Sequence, residues 1–169
     1  ASSEEPTSIT TVEIEPRMVD AARGFGERVQ RAYDDPRSRI VIDDARAYFS
    51  GRGARYDLIV SEPSNPWVAG VAKLFSVEFY AFVKRHLKPG GLLVQWLQAY
   101  EISDATALTV LRALDAEFSD YALYLSNNTD IVIDATAEGR LPPLHADALR
   151  ESGLEPLARI AGIRHLDDL

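Results

Sequence analysis

The stretch YDLIVSEPSNP at residues 56–66 joins a short apolar segment to a polar loop that contains two prolines. Residues 56–60 are almost wholly apolar, which is typical of a strand in a sheet covered on both faces. Pro63 and Pro66 are incompatible with regular structure in the residues that follow. The stretch therefore predicts a buried strand that ends in a loop carrying Glu62 and Asn65.

Strands and helices alternate on both sides of this stretch. Apolar, β-branched runs predict strands at residues 9–14, 39–42 and 92–97. Apolar residues at helical spacing predict helices over residues 16–32 and 45–49, from Ser76, and from Ser103 or Asp104. Two further strands, residues 121–125 and 131–133, flank Asn127 and Asn128, which tolerate the positive φ of a tight hairpin turn. This order predicts a doubly wound, Rossmann-like α/β sheet with a C-terminal antiparallel hairpin.

The sequence predicts one folded domain between two different ends. Residues 1–7 are small, acidic and polar, which is typical of a disordered terminus. Residues 8–140 contain the strand–helix pattern and form the predicted α/β domain. Residues 141–169 carry Leu149, Leu157 and Ile160 on either side of Gly153 and predict a helical tail.

Composition restricts the classes of function. Of the 169 residues, 46% are hydrophobic and 26% are charged, as in a soluble globular protein. The formal net charge of −8 disfavours nucleic acid as a partner and would attract a cationic ligand such as a polyamine, although acidity also simply aids solubility. The sequence has no cysteine and three scattered histidines, so we predict no metal site. No apolar run is long enough to cross a bilayer, so we predict a cytoplasmic domain without membrane contact of its own.

Acidic and amide side chains follow the predicted strands, at the carboxyl ends where ligands bind in such sheets. They are Glu13 and Glu15, Asp43 and Asp44, Glu62 and Asn65, and Gln95 with Tyr100 and Glu101 beyond it. A carboxylate there can accept both hydrogen bonds of a ribose diol, and another can bind an ammonium group or take its proton. Local explanations also exist, since Glu13, Glu15 or Asp44 could cap a helix and Asn65 could stabilise a turn. Together, the four strand ends favour a site for a nucleoside with a cationic tail.

A glycine-rich turn is missing from the predicted sheet. Sheets that bind dinucleotides or S-adenosylmethionine usually open with a strand and such a turn, yet none precedes Ile9, and Gly24 and Gly26 fall inside a predicted helix. The usual first strand lies at the centre of the sheet, so two strands would lack a pairing partner. We therefore expect either a truncated version of a longer protein or a strand supplied by another segment. Strand exchange between chains would also complete the sheet, which makes a homodimer a hypothesis.

The opening stretch and four others resemble the spermidine synthase family. The others are VEIEP at residues 12–16, IDDARAYF at 42–49, LFSVEFY at 74–80 and LKPGGLLVQW at 87–96, in the family's order and spacing. SEPSNPW at residues 61–67, followed by LFSVEFY and by QWLQAYE at residues 95–101, resembles in particular the spermidine-synthase-like domains that are fused to membrane segments. The resemblance covers residues 9–100 and implies a methyltransferase-type, Rossmann-like fold. It also implies that the full-length protein is membrane-anchored through another segment.

For the nucleoside, the resemblance implies three binding residues. Glu13 would bind the ribose hydroxyls of decarboxylated S-adenosylmethionine or S-adenosylmethionine, which would be a co-substrate and not a tightly bound cofactor. Asp44 would accept a hydrogen bond from the adenine amino group. Asp43 stands beside it, where the family usually has glycine.

For the amine, the resemblance implies a catalytic residue and its neighbours. Glu62 stands at the position of the family's catalytic aspartate, which deprotonates the attacking amine, but it is longer by one methylene. Asn65 stands where a second aspartate binds the polyamine, so one negative charge is lost. Gln95 would lie near the substrate at the end of its strand, and Tyr100 beyond that end is a further candidate for the substrate site.

Three functions remain open at this point. The first is an aminopropyltransferase, in which an amine such as putrescine attacks decarboxylated S-adenosylmethionine. The second is a methyltransferase, because residues 64–67 are faintly similar to the Asn-Pro-Pro-aromatic motif of amino-group methyltransferases. The third is a catalytically degenerate domain that binds polyamines or nucleosides, which the altered positions 62 and 65 would fit.

Overall fold

The computed structural model describes residues 6–51, 53–63, 70–98, 100, 102–126 and 129–143. The chain divides into two compact units, with the boundary between Ala54 and Arg55. Both units include residues of the range predicted as a single α/β domain, and the predicted limits at residues 8, 140 and 141 stay a prediction. The predicted helical tail lies outside the described residues from position 144 onward.

The first unit is built on two parallel strands. Strand β1 spans Ile9–Glu13 and pairs with β2, Ser38–Ile42, so that Glu13 lies opposite Ile42 at their carboxyl ends. Helix α1, Pro16–Ala22, and helix α2, Gln30–Asp34, form the connection between the strands. Helix α3, Ala45–Ser50, follows β2. Parallel strands need such a crossover, so this unit has the predicted strand–helix–strand–helix order.

The connection between β1 and β2 is not the single helix that the sequence predicts. Between α1 and α2 the chain forms 3₁₀ turns over Arg23–Arg28, and Gly26 breaks them with a φ of 63° and a ψ of −134°. Glycine reaches this conformation at little steric cost because it has no Cβ. The phenolic Oη of Tyr33 on α2 then donates a hydrogen bond of 2.6 Å to the Val19 carbonyl oxygen on α1, which joins the two halves.

The second unit contains a mixed sheet of four strands. Its strands are β3, Tyr56–Ser61, β4, Leu87–Gln98, β5, Asp120–Ser126, and β6, Asp130–Thr136. The spatial order is β3-β4-β6-β5, with β3 parallel to β4 and the other two pairings antiparallel. The predicted C-terminal hairpin is therefore confirmed as β5–β6, while Asn127 and Asn128 at its turn lie outside the described residues.

One face of this sheet packs against two amphipathic helices. Helix α4 spans Val77–Arg85 and helix α5 spans Asp104–Asp115, and they are capped by the side chains of Ser76 and Ser103 as the sequence predicts. Alternate strand residues and helix residues form the buried core, namely Leu93, Leu97, Ile133, Ala135, Tyr80, Val83 and Leu114. The ring of Tyr80 also meets that of Phe118 edge-on, with the ring centroids 6.1 Å apart.

Strand β4 begins five residues earlier than the sequence predicts. Leu87 already pairs with Tyr56, and the next partners are Leu58 and Leu92, so the intervening β4 residues 88–91 form an irregularity within the strand. Gly90 takes a φ of 72° there. The Pro-Gly-Gly sequence at residues 89–91, which is typical of a turn, is thus an interruption inside the strand.

Strands β1 and β3 each have a single partner in the part of the chain that the structure describes. Strand β1 pairs with β2 and strand β3 pairs with β4. Strands β2 and β5 also have one partner each among these residues, so the expectation that two strands lack a partner stays a prediction. On β3, the side chains of Leu58 and Val60 are 51% and 56% exposed, although the strand has the composition of a buried one.

Candidate active site

At the carboxyl ends of β1 and β2, two predicted nucleoside-binding residues lie next to each other. The backbone N–H of Asp43 donates to the Glu13 carbonyl oxygen at 3.1 Å, which extends the β1–β2 ladder by one bond. The Glu13 carboxylate accepts a hydrogen bond of 2.9 Å from the Glu15 backbone N–H. Glu13 and Asp43 are both half-buried. The Glu13 side chain is therefore held close to the strand end, where a diol could meet its carboxylate.

The two other acidic residues of this unit cap helices. Asp44 is the N-cap of α3, and its Oδ1 accepts a hydrogen bond from the Ala47 backbone N–H at 3.0 Å. Glu15 is the N-cap of α1 and accepts from the Arg17 backbone N–H at 2.9 Å. The capping explanation considered for both residues is confirmed. A cap uses one carboxylate oxygen, so the proposed adenine contact of Asp44 stays a prediction.

In the second unit, Glu62 is the first residue after β3. Its neighbour Ser61 is the last residue of the strand and pairs with Gln95 on β4. The Glu62 side chain is exposed, whereas Pro63 is buried. The strand therefore presents a solvent-accessible carboxylate at the carboxyl edge of the sheet, where it can take a proton from an amine. Asn65, the predicted partner for the polyamine, lies outside the described residues.

Gln95 is completely buried and its amide is bonded within the protein. Its Oε1 accepts a hydrogen bond of 2.6 Å from the Tyr80 hydroxyl, and its Nε2 donates to the Leu74 carbonyl oxygen at 3.0 Å. Burial raises the pKa of Tyr80 well above its usual 10.0, so the hydroxyl stays protonated and keeps donating. Direct contact with substrate would need this buried amide to become accessible, and the predicted substrate role of Gln95 stays a prediction.

Tyr100 is exposed beyond the end of β4, and Gln98 provides its hydrogen-bond partner. The Nε2 of Gln98 donates to the Tyr100 hydroxyl. The Oε1 of Gln98 is buried and has no hydrogen-bond partner among the described residues. A buried acceptor without a donor costs free energy, so a ligand N–H or O–H that reached it would bind favourably. Gln98 was missed from the sequence, although its place at the end of β4 was the available signal.

A separate carboxylate lies on the opposite face of the second sheet from Gln95. Asp134 on β6 pairs with Val94 and Ala122 on the two neighbouring strands. Burial raises its pKa above the usual 3.8. Burial, and to a lesser degree the charge of Asp134, raises the pKa of Tyr124. Asp134 is therefore a partly buried carboxylate whose strand neighbours are Val94 and Ala122.

Within the described residues, no group of three or more His, Asp and Glu side chains is arranged to hold a metal ion. No helix there combines the length and apolar character that crossing a bilayer requires.

Comparison with solved structures identifies the fold. The chain aligns with spermidine synthase from Thermotoga maritima with a TM-score of 0.63 and 20% identity, over 78% of this chain and 46% of that one. It aligns with human methyltransferase-like protein 13 in complex with SAH with a TM-score of 0.63 and 22% identity, over 93% of this chain and 72% of the other. The predicted Rossmann-like, methyltransferase-type fold is confirmed.

Comparison of sequences identifies the family. Polyamine aminopropyltransferase 1 of Pseudomonas aeruginosa is 35% identical over 122 residues, which are 69% of this chain. The chain spans 41% of the length of that relative. The model of the spermine/spermidine synthase domain matches residues 3–129. Because this match includes most of the sequence, the chain belongs to the spermine/spermidine synthase family.

Proposed function

We propose that this chain carries part of the active site of an aminopropyltransferase, which moves an aminopropyl group from decarboxylated S-adenosylmethionine to a polyamine such as putrescine. The observation that carries the proposal is the exposed Glu62 carboxylate directly after β3, in a chain of the spermine/spermidine synthase family. A carboxylate at the carboxyl edge of a parallel strand pair, where ligands bind in such sheets, would be in position to serve as this base.

The reaction requires one proton to leave the amine. The amine nitrogen attacks the propyl carbon bound to the sulfonium, a C–N bond forms, and the C–S bond breaks. The bonding electron pair stays on sulfur, which becomes the neutral thioether of methylthioadenosine. The proton released from nitrogen goes to Glu62, so the chemistry needs positioning and a carboxylate base.

The other predicted residues would bind the two substrates. Glu13 would accept hydrogen bonds from the ribose hydroxyls, and Asp43 and Asp44 would lie beside the adenine. The aminopropyl acceptor would meet the Tyr100 hydroxyl and the buried Oε1 of Gln98, which has no donor among the described residues. An ammonium or amine N–H would supply that donor.

The test uses the full-length protein with putrescine and either decarboxylated S-adenosylmethionine or S-adenosylmethionine. Mass spectrometry of the products should find methylthioadenosine and spermidine in the first tube. Replacing Glu62 by Gln should lower the rate by about 10²–10⁴-fold, the usual contribution of a general base. Glu138→Gln, the same change at another exposed glutamate of the second unit, is the control and should leave the rate unchanged. Equal rates for both variants would refute the role of Glu62.

Methyl transfer is the second candidate, supported by the fold shared with methyltransferase-like protein 13 in complex with SAH over 93% of this chain. S-adenosylhomocysteine in the second tube would identify it. Nucleoside binding without either product would leave a binding domain. The cytoplasmic location and the homodimer stay predictions, which cell fractionation and light scattering of the full-length protein would test.

A further inference from the structure

The buried amide of Gln95 links three parts of the second unit. Gln95 lies on β4, Tyr80 on α4, and Leu74 on the 3₁₀ turn Val71–Phe75 that precedes α4. The Tyr80 hydroxyl donates to Oε1 at 2.6 Å, and Nε2 donates to the Leu74 carbonyl oxygen at 3.0 Å. We name this pair of hydrogen bonds the Gln95 bridge. It fixes the turn before α4 to the middle of the sheet.

The chemistry of Gln95 is unusual for its position. Its neighbours on the same face of β4 are Leu93 and Leu97, which are 0% and 1% exposed. An apolar side chain would fill such a site without the cost of burying an amide. That cost is offset only because the oxygen and one N–H both have partners of good length. The residue is therefore explained by what it holds and not by packing alone.

The Gln95 bridge connects the neighbourhood of Glu62 to the turn Val71–Phe75. Ser61, the residue before Glu62, is the strand partner of Gln95 on β3. The Gln95 side chain bonds to the turn at Leu74. Gln95 thus contacts the chain on both sides of Glu62. It pairs with Ser61 through the strand ladder, and its side chain bonds to Leu74, twelve positions after Glu62.

The turn Val71–Phe75 has a second attachment, to α4. Phe75 is buried, and the Ser76 hydroxyl donates to the Lys73 carbonyl oxygen at 3.0 Å while it accepts from the Phe79 backbone N–H at 3.2 Å. These contacts fix the turn to α4, whereas the Gln95 bridge fixes it to the sheet. Without the bridge, the turn could move with α4 relative to β3.

We infer that Gln95 and Tyr80 are positioning residues for the proposed reaction, because their hydrogen bonds hold the turn Val71–Phe75 against β4, the strand that pairs with β3 directly before Glu62. The inference rests on the proposed function of Glu62. A displacement of about 1 Å in a reacting group can lower a rate on the order of a hundredfold, so a tether of this kind has a measurable effect.

The first test does not depend on enzymatic activity. Gln95→Met removes both hydrogen bonds of the bridge and keeps a side chain of similar length, and Thr136→Val is the matched control. Thr136 is also buried, donates to the Glu138 carbonyl oxygen at 3.2 Å, and pairs with Leu92 near the other end of the sheet. In amide hydrogen exchange of the full-length protein, residues 70–76 should exchange at least about tenfold faster in Gln95→Met and at the wild-type rate in Thr136→Val. Unchanged exchange in Gln95→Met overturns the inference.

The second test separates positioning from general stability. At saturating substrates, Gln95→Met should lower kcat about tenfold to a hundredfold with little change in KM, whereas Thr136→Val should lower neither. In the Glu62→Gln background, Gln95→Met should give no further loss, because there is no base left to position. Fully additive losses would overturn the inference.

Two further arms keep these outcomes distinct. If Gln95→Met does not fold, Tyr80→Phe replaces that variant in both tests. This substitution removes a single oxygen atom, the hydroxyl that donates to Gln95 in the same bridge. If the wild-type protein transfers no aminopropyl group, the proposed function fails on that result alone. The exchange rates of residues 70–76 then still decide whether the Gln95 bridge holds the turn.

Discussion

Substituting alanine at Gly91 should destabilise the second unit because backbone atoms occupy the space for a methyl group. A Cβ at this position would lie 2.9 Å from the Lys88 carbonyl oxygen and 3.0 Å from the Tyr56 carbonyl oxygen. Favourable contacts between such atoms begin at about 3.5 Å, so the methyl group must move each neighbour by roughly half an ångström. Neither neighbour is a side chain that can rotate away. The methyl group would therefore force β3 and β4 apart near Tyr56, where their pairing begins.

Overpacking of this kind typically costs about 1–3 kcal/mol, and the rigid neighbours place Gly91→Ala at about 3 kcal/mol. Gly51→Ala is the matched control. A Cβ at Gly51 would lie 3.6 Å from the nearest atom, the Ala47 carbonyl oxygen, and its φ of −80° suits any residue. Alanine there should be neutral or stabilise the protein by about 0.4–1 kcal/mol, because it restricts the unfolded chain.

The assay is urea denaturation of the two variants and the wild type, followed by fluorescence and by circular dichroism. The difference in unfolding free energy between the two glycine variants should be at least about 3 kcal/mol. A loss below about 1 kcal/mol for Gly91→Ala would refute the argument, since the strands would then accommodate the methyl group freely. Gly91 lies at the opposite end of β3 from Glu62, so the folded fraction of the variant should retain wild-type activity.

Two further predictions concern the same unit. Burial raises the pKa of Asp134, so the folded state binds its proton more tightly than the unfolded state, and stability falls as pH rises from below 3.8 through the folded-state pKa. Asp134→Asn should therefore raise the thermal midpoint at pH 7, and this gain should vanish below pH 3.8 when melting is measured over a series of pH values. An equal gain at every pH would contradict this cause. In urea denaturation, Leu114→Ala on α5 should lower the free energy of unfolding by about 2–5 kcal/mol because the side chain is fully buried. Leu108→Ala on the same helix, where the side chain is 51% exposed, should change it by no more than about 0.5 kcal/mol, and similar losses for the two variants would contradict the assigned buried face.

Sequence patterns predicted the elements where local and tertiary preferences agree. The apolar run at residues 56–60 became β3, and Ser76 and Ser103 cap helices as their hydroxyls favour. The start of β4 was missed because Pro89, Gly90 and Gly91 indicate a break locally, while the pairs Tyr56–Leu87 and Leu58–Leu92 on either side place them within the strand. The local preference persists there as the irregularity at residues 88–91, and the pairing on either side extends the strand past it.

The site was predicted less completely than the fold. The pattern of acidic residues located the strand ends, yet it could not distinguish a ligand-binding carboxylate from a helix cap, and Asp44 is at least the latter. The orientation of Gln95 was within reach, since it alternates with Leu93 and Leu97 and so shares their buried face. Its partner Tyr80 was not, because the contact between α4 and β4 depends on the helix packing angle.

The strand order of the second sheet also has a consequence for how the protein folds and opens. Strands β5 and β6 are three residues apart in the chain, whereas β4 reaches β6 across α5, and β3 reaches β4 across α4. The residues that β3 and β4 pair are 31–34 positions apart in the chain, and those that β4 and β6 pair are 32–44 positions apart. Short-range pairs close within microseconds and distant pairs more slowly, so β5–β6 should form before either of the other two pairings. Strand β3 has one partner among the described residues, so its amides should exchange earlier than those of β4 and β6, which have two each. The carboxylate proposed to do the chemistry would thus directly follow an edge strand, where local opening costs less free energy than at the centre of the sheet.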